Sequence, residues 1–132
     1  MDEQWRVGVL ELRGFSGCGG SGAGAAEWLR ERITGGLPKI GRMNLAYFAD
    51  DRGRVVTEMS CLRHGDDDFT LITAASAQWH DFDVLRPAQD VGLTLTDHTR
   101  DFSTLIVTGP QSRDLFVALD TPAALSSTSR RI

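Results

Sequence analysis

The stretch Gly41–Ala74 constrains the fold more than any other part of this 132-residue chain. Met43, Leu45 and Tyr47 recur at the two-residue period of a strand over Met43–Ala49. Asp50-Asp51-Arg52-Gly53 has the composition of a hairpin turn, with Gly53 available for positive φ. Arg54–Arg63 reads as a second strand. One of its faces carries Val55, Thr57, Met59 and Cys61, the other Val56, Glu58, Ser60 and Leu62. His64–Asp68 is a second polar turn, and Phe69–Ala74 a third strand. Both turns are far shorter than a parallel crossover, so the three strands are expected to be antiparallel. Glu58 sits mid-strand, away from both turns. A carboxylate there either faces water or serves a cavity.

The flanks supply helices. Val7–Leu12 is an apolar run of strand length, and Arg13–Gly24 is glycine-rich, which makes regular structure there costly in backbone entropy. Ala25–Ile33 reads as a helix with Ala25, Trp28, Leu29 and Ile33 on one face, ended by Thr34-Gly35-Gly36. Ser76 is a plausible N-cap for a helix over Ala77–Leu85, which Arg86-Pro87 should end. Val91–Leu95 and Leu105–Thr108 read as further strands. Gly109-Pro110 opens a last helix with proline at its first position and Leu115, Ala118 and Leu119 as its apolar face. From Asp120 the periodicity is lost. The expected organisation is one domain over residues 1–120 and a polar tail over 121–132. The fold class is α+β, an antiparallel-rich sheet packed with helices.

Several functions are disfavoured at once. The net charge of −4 argues against nucleic acid as the main partner. No apolar run reaches the roughly 20 residues of a membrane span. The N-terminus MDEQWRVG lacks the basic-then-apolar layout of a secretory signal, so a cytoplasmic location is expected. Cys18 and Cys61 form no CxxC and read as reduced thiols. His64, His80 and His98 show no metal-ligand spacing. The runs Asp50-Asp51 and Asp66-Asp67-Asp68 are most simply solvated turns.

Two motifs compete for chemistry. Gly17-Cys18-Gly19-Gly20-Ser21-Gly22 is a literal G-x-G-x-x-G between a strand and a helix, the setting of a dinucleotide-binding loop. Against it, Arg13–Ser16 separates strand from glycines, Asp50 lies beyond the roughly 20-residue offset of a ribose-binding acid, and the next strands form hairpins. Glu58 is the stronger candidate. The bland alternative is a solvated strand carboxylate. The functional one is a partly buried acid or base tuned by its apolar neighbours.

The segment 37–85 resembles the folate-binding domain shared by the aminomethyltransferase (T-protein) of the glycine cleavage system and dimethylglycine and sarcosine dehydrogenases. It looks closest to the dehydrogenase types. The residues that carry the resemblance are the strand ending Tyr47-Phe48, the Asp50–Gly53 hairpin, the acid-bearing strand Val55–Leu62, and the strand ending Thr73-Ala74 followed by a helix. Asp97-His98-Thr99 and the Gly109-Pro110-Gln111-Ser112-Arg113 helix start extend it over roughly residues 7–120. The resemblance implies the N-terminal part of the aminomethyltransferase fold and tetrahydrofolate as cofactor. It implies transfer of a one-carbon unit from a methylated amine or aminomethyl donor. Glu58 takes the place of the family's aspartate near the reacting folate nitrogen, one methylene longer. Tyr47, Val56, Thr57, Ile72, Thr73 and Ala74 fall on cavity-lining positions.

In such relatives the folate domain continues with a glutamate clamp for the pteridine and a C-terminal barrel, and a separate domain supplies FAD in the dehydrogenases. A mitochondrial matrix location would follow in a eukaryote. The resemblance also implies that Gly17–Gly20 replaces an apolar core strand. The alternative is a non-catalytic assembly piece of a larger dehydrogenase, pairing with another chain or with itself. A dinucleotide domain through Gly17–Gly22 is the weaker alternative.

Overall fold

The computed structural model describes residues 7–12 and 14–119. They fall into two compact units, one over residues 14–102 and one formed by the two flanking segments.

The larger unit is a six-stranded sheet in the order β3-β4-β5-β6-β2-β7, with every neighbour antiparallel. Its strands are β2 (Phe15–Ser21), β3 (Ile33–Thr34), β4 (Met43–Ala49), β5 (Val55–Gly65), β6 (Asp68–Ala74) and β7 (Thr94–Asp97). The three hairpin strands stand where alternation predicts them. The α+β, antiparallel-rich expectation holds.

The helices cover one side of this sheet. Ala25, Trp28 and Leu29 of α1 (Ala25–Arg32), Leu85 of α2 (Gln78–Leu85) and Ala88 of α3 (Pro87–Asp90) share a single buried cluster with Cys18, Ala46, Phe48, Met59, Cys61, Phe69 and Leu71 of the strands. These strand residues are the inward set of each two-residue alternation.

Two expectations are corrected and one is extended. First, Phe15–Ser21 is a full strand, although the glycine content argues against one. It lies between β6 and β7 and is hydrogen-bonded on both sides, which offsets the entropic cost of ordering glycine. The G-x-G-x-x-G string therefore runs along an antiparallel strand, and only its last glycine reaches the turn before α1. Second, α2 ends at Leu85 with Arg86 as its C-cap, as expected, but a further short helix that the sequence reading lacks follows at once. Arg86 stays in the α region and Pro87 opens α3 at its first position, so Leu85 and Ala88 both reach the core. Third, α2 begins after a 3₁₀ turn at Ala75–Ala77, with no side-chain cap from Ser76. The last strand of this unit also starts later than predicted, after the turn at Gly92, whose φ is 84°.

The start of α1 exposes a long-range device. Gly24, with φ 91°, supplies no side chain to cap the helix. Asp67, in the β5–β6 turn, does so instead: its carboxylate accepts from Ala26 N at 2.8 Å and Gly24 N at 3.3 Å. These two backbone N–H bonds, Ala26 first, hold Asp67 below the usual aspartate range. A turn read as merely solvated thus ties the hairpin to the helix that covers it.

The second unit pairs β1 (Gly8–Leu12) with β8 (Thr104–Thr108), antiparallel from Gly8↔Thr108 to Leu12↔Thr104. The helix α4 (Ser112–Ala118) follows, with Pro110 in the turn before it and not at its first position. Leu10 and Ile106, opposite one another, are both exposed. The 121–132 tail lies outside the described residues.

Asp67→Ala should lower the melting temperature at pH 7. Because the folded-state pKa lies below the unfolded one, this stabilisation is present above about pH 4 and fades as pH falls below it. Thermal melts at pH 7 and pH 3 should show the wild-type advantage shrinking; an equal difference at both would contradict the cap.

Candidate functional site

The sheet has a second face that no helix of the larger unit covers, and the predicted residues divide between the two faces. The register places Tyr47 directly opposite Glu58, Leu45 opposite Ser60, and Ser60 opposite Ile72. Directly paired residues share a face. The outward set on β4, β5 and β6 is therefore Met43, Leu45, Tyr47, Glu58, Ser60, Leu62, Thr70, Ile72 and Ala74. Val56 is exposed beside it, past the irregularity between Phe48 and Ala49.

This face is apolar for a surface. Met43 is 58% exposed, Leu45 47%, Val56 42% and Tyr47 38%. Glu58 is exposed among them and makes no hydrogen bond or ion pair with the described residues. It is not the partly buried carboxylate that its neighbours in sequence suggest. Burial would have to come from whatever covers the face.

Thr57 and Thr73 point the other way. Thr57 alternates with the buried Met59 and Cys61 and stands opposite Phe48. The Thr73 hydroxyl donates to the carboxylate of Asp81 on α2, which is 1% exposed. Asp81 is also met by His80 Nδ1 at 2.9 Å. Both threonines thus belong to the helix side, and this removes them from the outer-face set. The lining pattern carried by the resemblance is continuous in sequence, whereas the strand is not continuous in direction.

The inner side offers little room. A gap of about 20 Å³ among Trp28, Leu29, Phe69, Leu85, Ala88 and Leu95 has space for about one water. Cys18 and Cys61 both face inward, on either side of Leu71 across neighbouring strands. Burial above all pushes each thiol up to about 11, so both are protonated and unreactive at neutral pH. Among the described residues no group of three His, Cys, Asp or Glu could hold a metal ion. No described helix is long and apolar enough to cross a membrane.

Two polar clusters were not read as site residues from the sequence. Asp97 accepts from Thr99 N at 2.9 Å and from Gln78 Nε2 at 3.1 Å. Hydrogen bonds from the Thr99 hydroxyl and backbone, in that order, hold it below the usual range. His98 Nδ1 meets Asp101 Oδ2 at 2.8 Å, and the His98 ring lies over Gly19 of β2. The i, i+3 spacing of His98 and Asp101 is visible in the sequence; the glycine beneath the ring is not.

A mixed sheet-and-helix domain with one acid-bearing face that none of its own helices covers defines the class. The comparisons give the family. Residues 4–130 match the model of the GCVT N-terminal domain, and the chain belongs to that family. It is 29% identical over 111 residues to mouse (Mus musculus) mitochondrial dimethylglycine dehydrogenase, a match that covers 82% of this chain and 13% of the relative. It is 26% identical over 121 residues to an aminomethyltransferase of Mycobacterium tuberculosis, covering 90% of this chain and 33% of the relative. The structure of glycine cleavage system aminomethyltransferase T from Bartonella henselae superposes with a TM-score of 0.76 at 20% identity, over 89% of this chain and 33% of that one. The last likeness speaks to fold. The chain thus spans a third or less of the length of these relatives.

The inward assignment of Thr73 predicts that Thr73→Val leaves a buried carboxylate short of a donor. Stability should fall by about 1–3 kcal/mol, read as a lower urea midpoint. An unchanged midpoint would put Thr73 back on the open face.

Proposed function

We propose that this domain binds tetrahydrofolate on the outer face of the six-stranded sheet and serves one-carbon transfer from a methylated amine or aminomethyl donor. The observation that carries this reading is the Tyr47–Glu58 cross-strand pair, standing on an apolar face that no helix of the larger unit covers, in a member of this family. A flat heteroaromatic ring gains contact with Tyr47, Leu45, Val56 and Ile72 when it covers such a face. In doing so it takes Glu58 out of water. Desolvation raises the proton affinity of a carboxylate and strengthens its hydrogen bond to a ring or amine N–H. Glu58 would then orient the reacting nitrogen or accept its proton. FAD, if used, belongs to another domain.

A second reading is assembly, in which another chain covers the same face. The exposed Met43 and Leu45 on the sheet, and Leu10 and Ile106 on the two-stranded ribbon, favour it. Light scattering on the sample used for titration separates the two, because a monomer that binds folate leaves the face to the ligand.

Calorimetric titration with tetrahydrofolate under anaerobic conditions tests the first reading. Glu58→Ala should weaken binding by about tenfold or more, the weight of one charge-assisted hydrogen bond. Equal affinity of wild type and variant would remove Glu58 from the site.

A further inference from the structure

The outer face does not end at Glu58. At its far side an open groove of about 370 Å³ is walled by His64, Thr70, Thr96, His98 and Phe102, with Gly19 in its floor. We propose that this groove is a carboxylate subsite and, resting on the folate reading above, that it takes the glutamate end of the folate.

The floor explains the glycine. Gly19 pairs with Thr70 on one side and Thr96 on the other, so a side chain here would point outward into the groove. A Cβ at Gly19 would come within 2.8 Å of His98 Nε2. The absent side chain is what lets the imidazole lie down over the strand. The ring is then fixed from two directions. Asp101 Oδ2 holds Nδ1 at 2.8 Å, and the Phe102 ring packs edge-on with centroids 5.7 Å apart. Nδ1 is committed to Asp101, and Nε2 makes no hydrogen bond with the described residues. With Nδ1 held by Asp101, Nε2 is the ring nitrogen left to meet a ligand in the groove. His64, bonded to Thr70 Oγ1 at 2.8 Å, and the Thr96 hydroxyl add polar hydrogens along the same wall. Asp68 also lines the groove and opposes an anion, so binding depends on the histidines. Phe102, 76% exposed, offers an aryl platform at the rim.

The spacing suits one extended ligand. Gly19 is level with Thr70, and Thr70 with Leu62 of β5. Glu58 lies four residues back along β5, about 13 Å at strand rise, and two strand spacings add about 10 Å across. The straight-line separation is about 16 Å on the same face. An extended pteroylglutamate spans about that length between its pteridine nitrogens and its glutamate carboxylates.

The test uses the full chain and three ligands: tetrahydrofolate, tetrahydropteroate, which lacks the glutamate, and p-aminobenzoylglutamate. Wild type should bind tetrahydrofolate about tenfold more tightly than tetrahydropteroate. His98→Ala should bring that ratio to about one while leaving tetrahydropteroate affinity unchanged. Asp101→Asn keeps the imidazole but frees its ring, and should reduce the ratio in part. Equal wild-type affinities, or a ratio that survives His98→Ala in a variant with a native melt, would overturn the subsite. If the pteridines fail to bind but p-aminobenzoylglutamate shifts the His98 ring resonances, the carboxylate site stands and the folate reading falls. If none of the three binds, both fall.

Discussion

The register of β5 against its two neighbours is the constraint on which the rest depends. It sets Glu58 opposite Tyr47 and Ser60 between Leu45 and Ile72, and by the same step turns Met59 and Cys61 inward. A slip of one residue would exchange the two sets, exposing the core and burying Glu58. The irregularities lie at the ends of the strand, between Phe48 and Ala49 and between Arg63 and Gly65. The span between them is regular. At the first turn Asp50 accepts from Arg52 N and Arg54 N, each at 2.9 Å, and pairs with the Arg54 guanidinium, which holds the hairpin end in place. At the second turn Asp67 reaches the start of α1. Both polar turns therefore serve the register as well as connecting strands.

Strand β2 shows how backbone pairing and side-chain packing can separate. Gly17, Gly19 and Gly20 contribute almost no apolar surface, yet the strand bridges β6 and β7 through seven and four paired residues. Its inward contribution to the core reduces to Cys18, with Ser16 also buried and bonded to Thr99 Oγ1 at 2.7 Å. On the outside the missing side chains leave a shallow floor, and His98 occupies it. The glycine run that thins the core also shapes the surface.

Much of this was legible in the sequence, because strand alternation and short turns are local signals. Met43–Ala49 has its observed bounds, and the two faces of β5 follow from period two alone. What was not legible depends on partners distant in sequence. Phe15–Ser21 forms a strand because two other strands flank it, which glycine composition cannot show. Asp67 caps a helix some forty residues away. Pro87 continues a helical path because Leu85 and Ala88 both find the core, and tertiary packing outweighs the local preference of the residue before proline. Family resemblance grouped Thr57 and Thr73 with Glu58 and Ile72. The alternation of the strand, read alone, separates them.

The central claim is that the face bearing Tyr47 and Glu58, and not the helix side or the glycine string, is where a small molecule binds. Backbone amide spectra recorded with and without tetrahydrofolate address it residue by residue. Shifts concentrated at Tyr47, Glu58, Ser60 and Ile72, with Met59, Cys61 and Leu85 unmoved, are the predicted result. An unchanged spectrum, or shifts confined to α1, α2 and the inward strand residues, would contradict it.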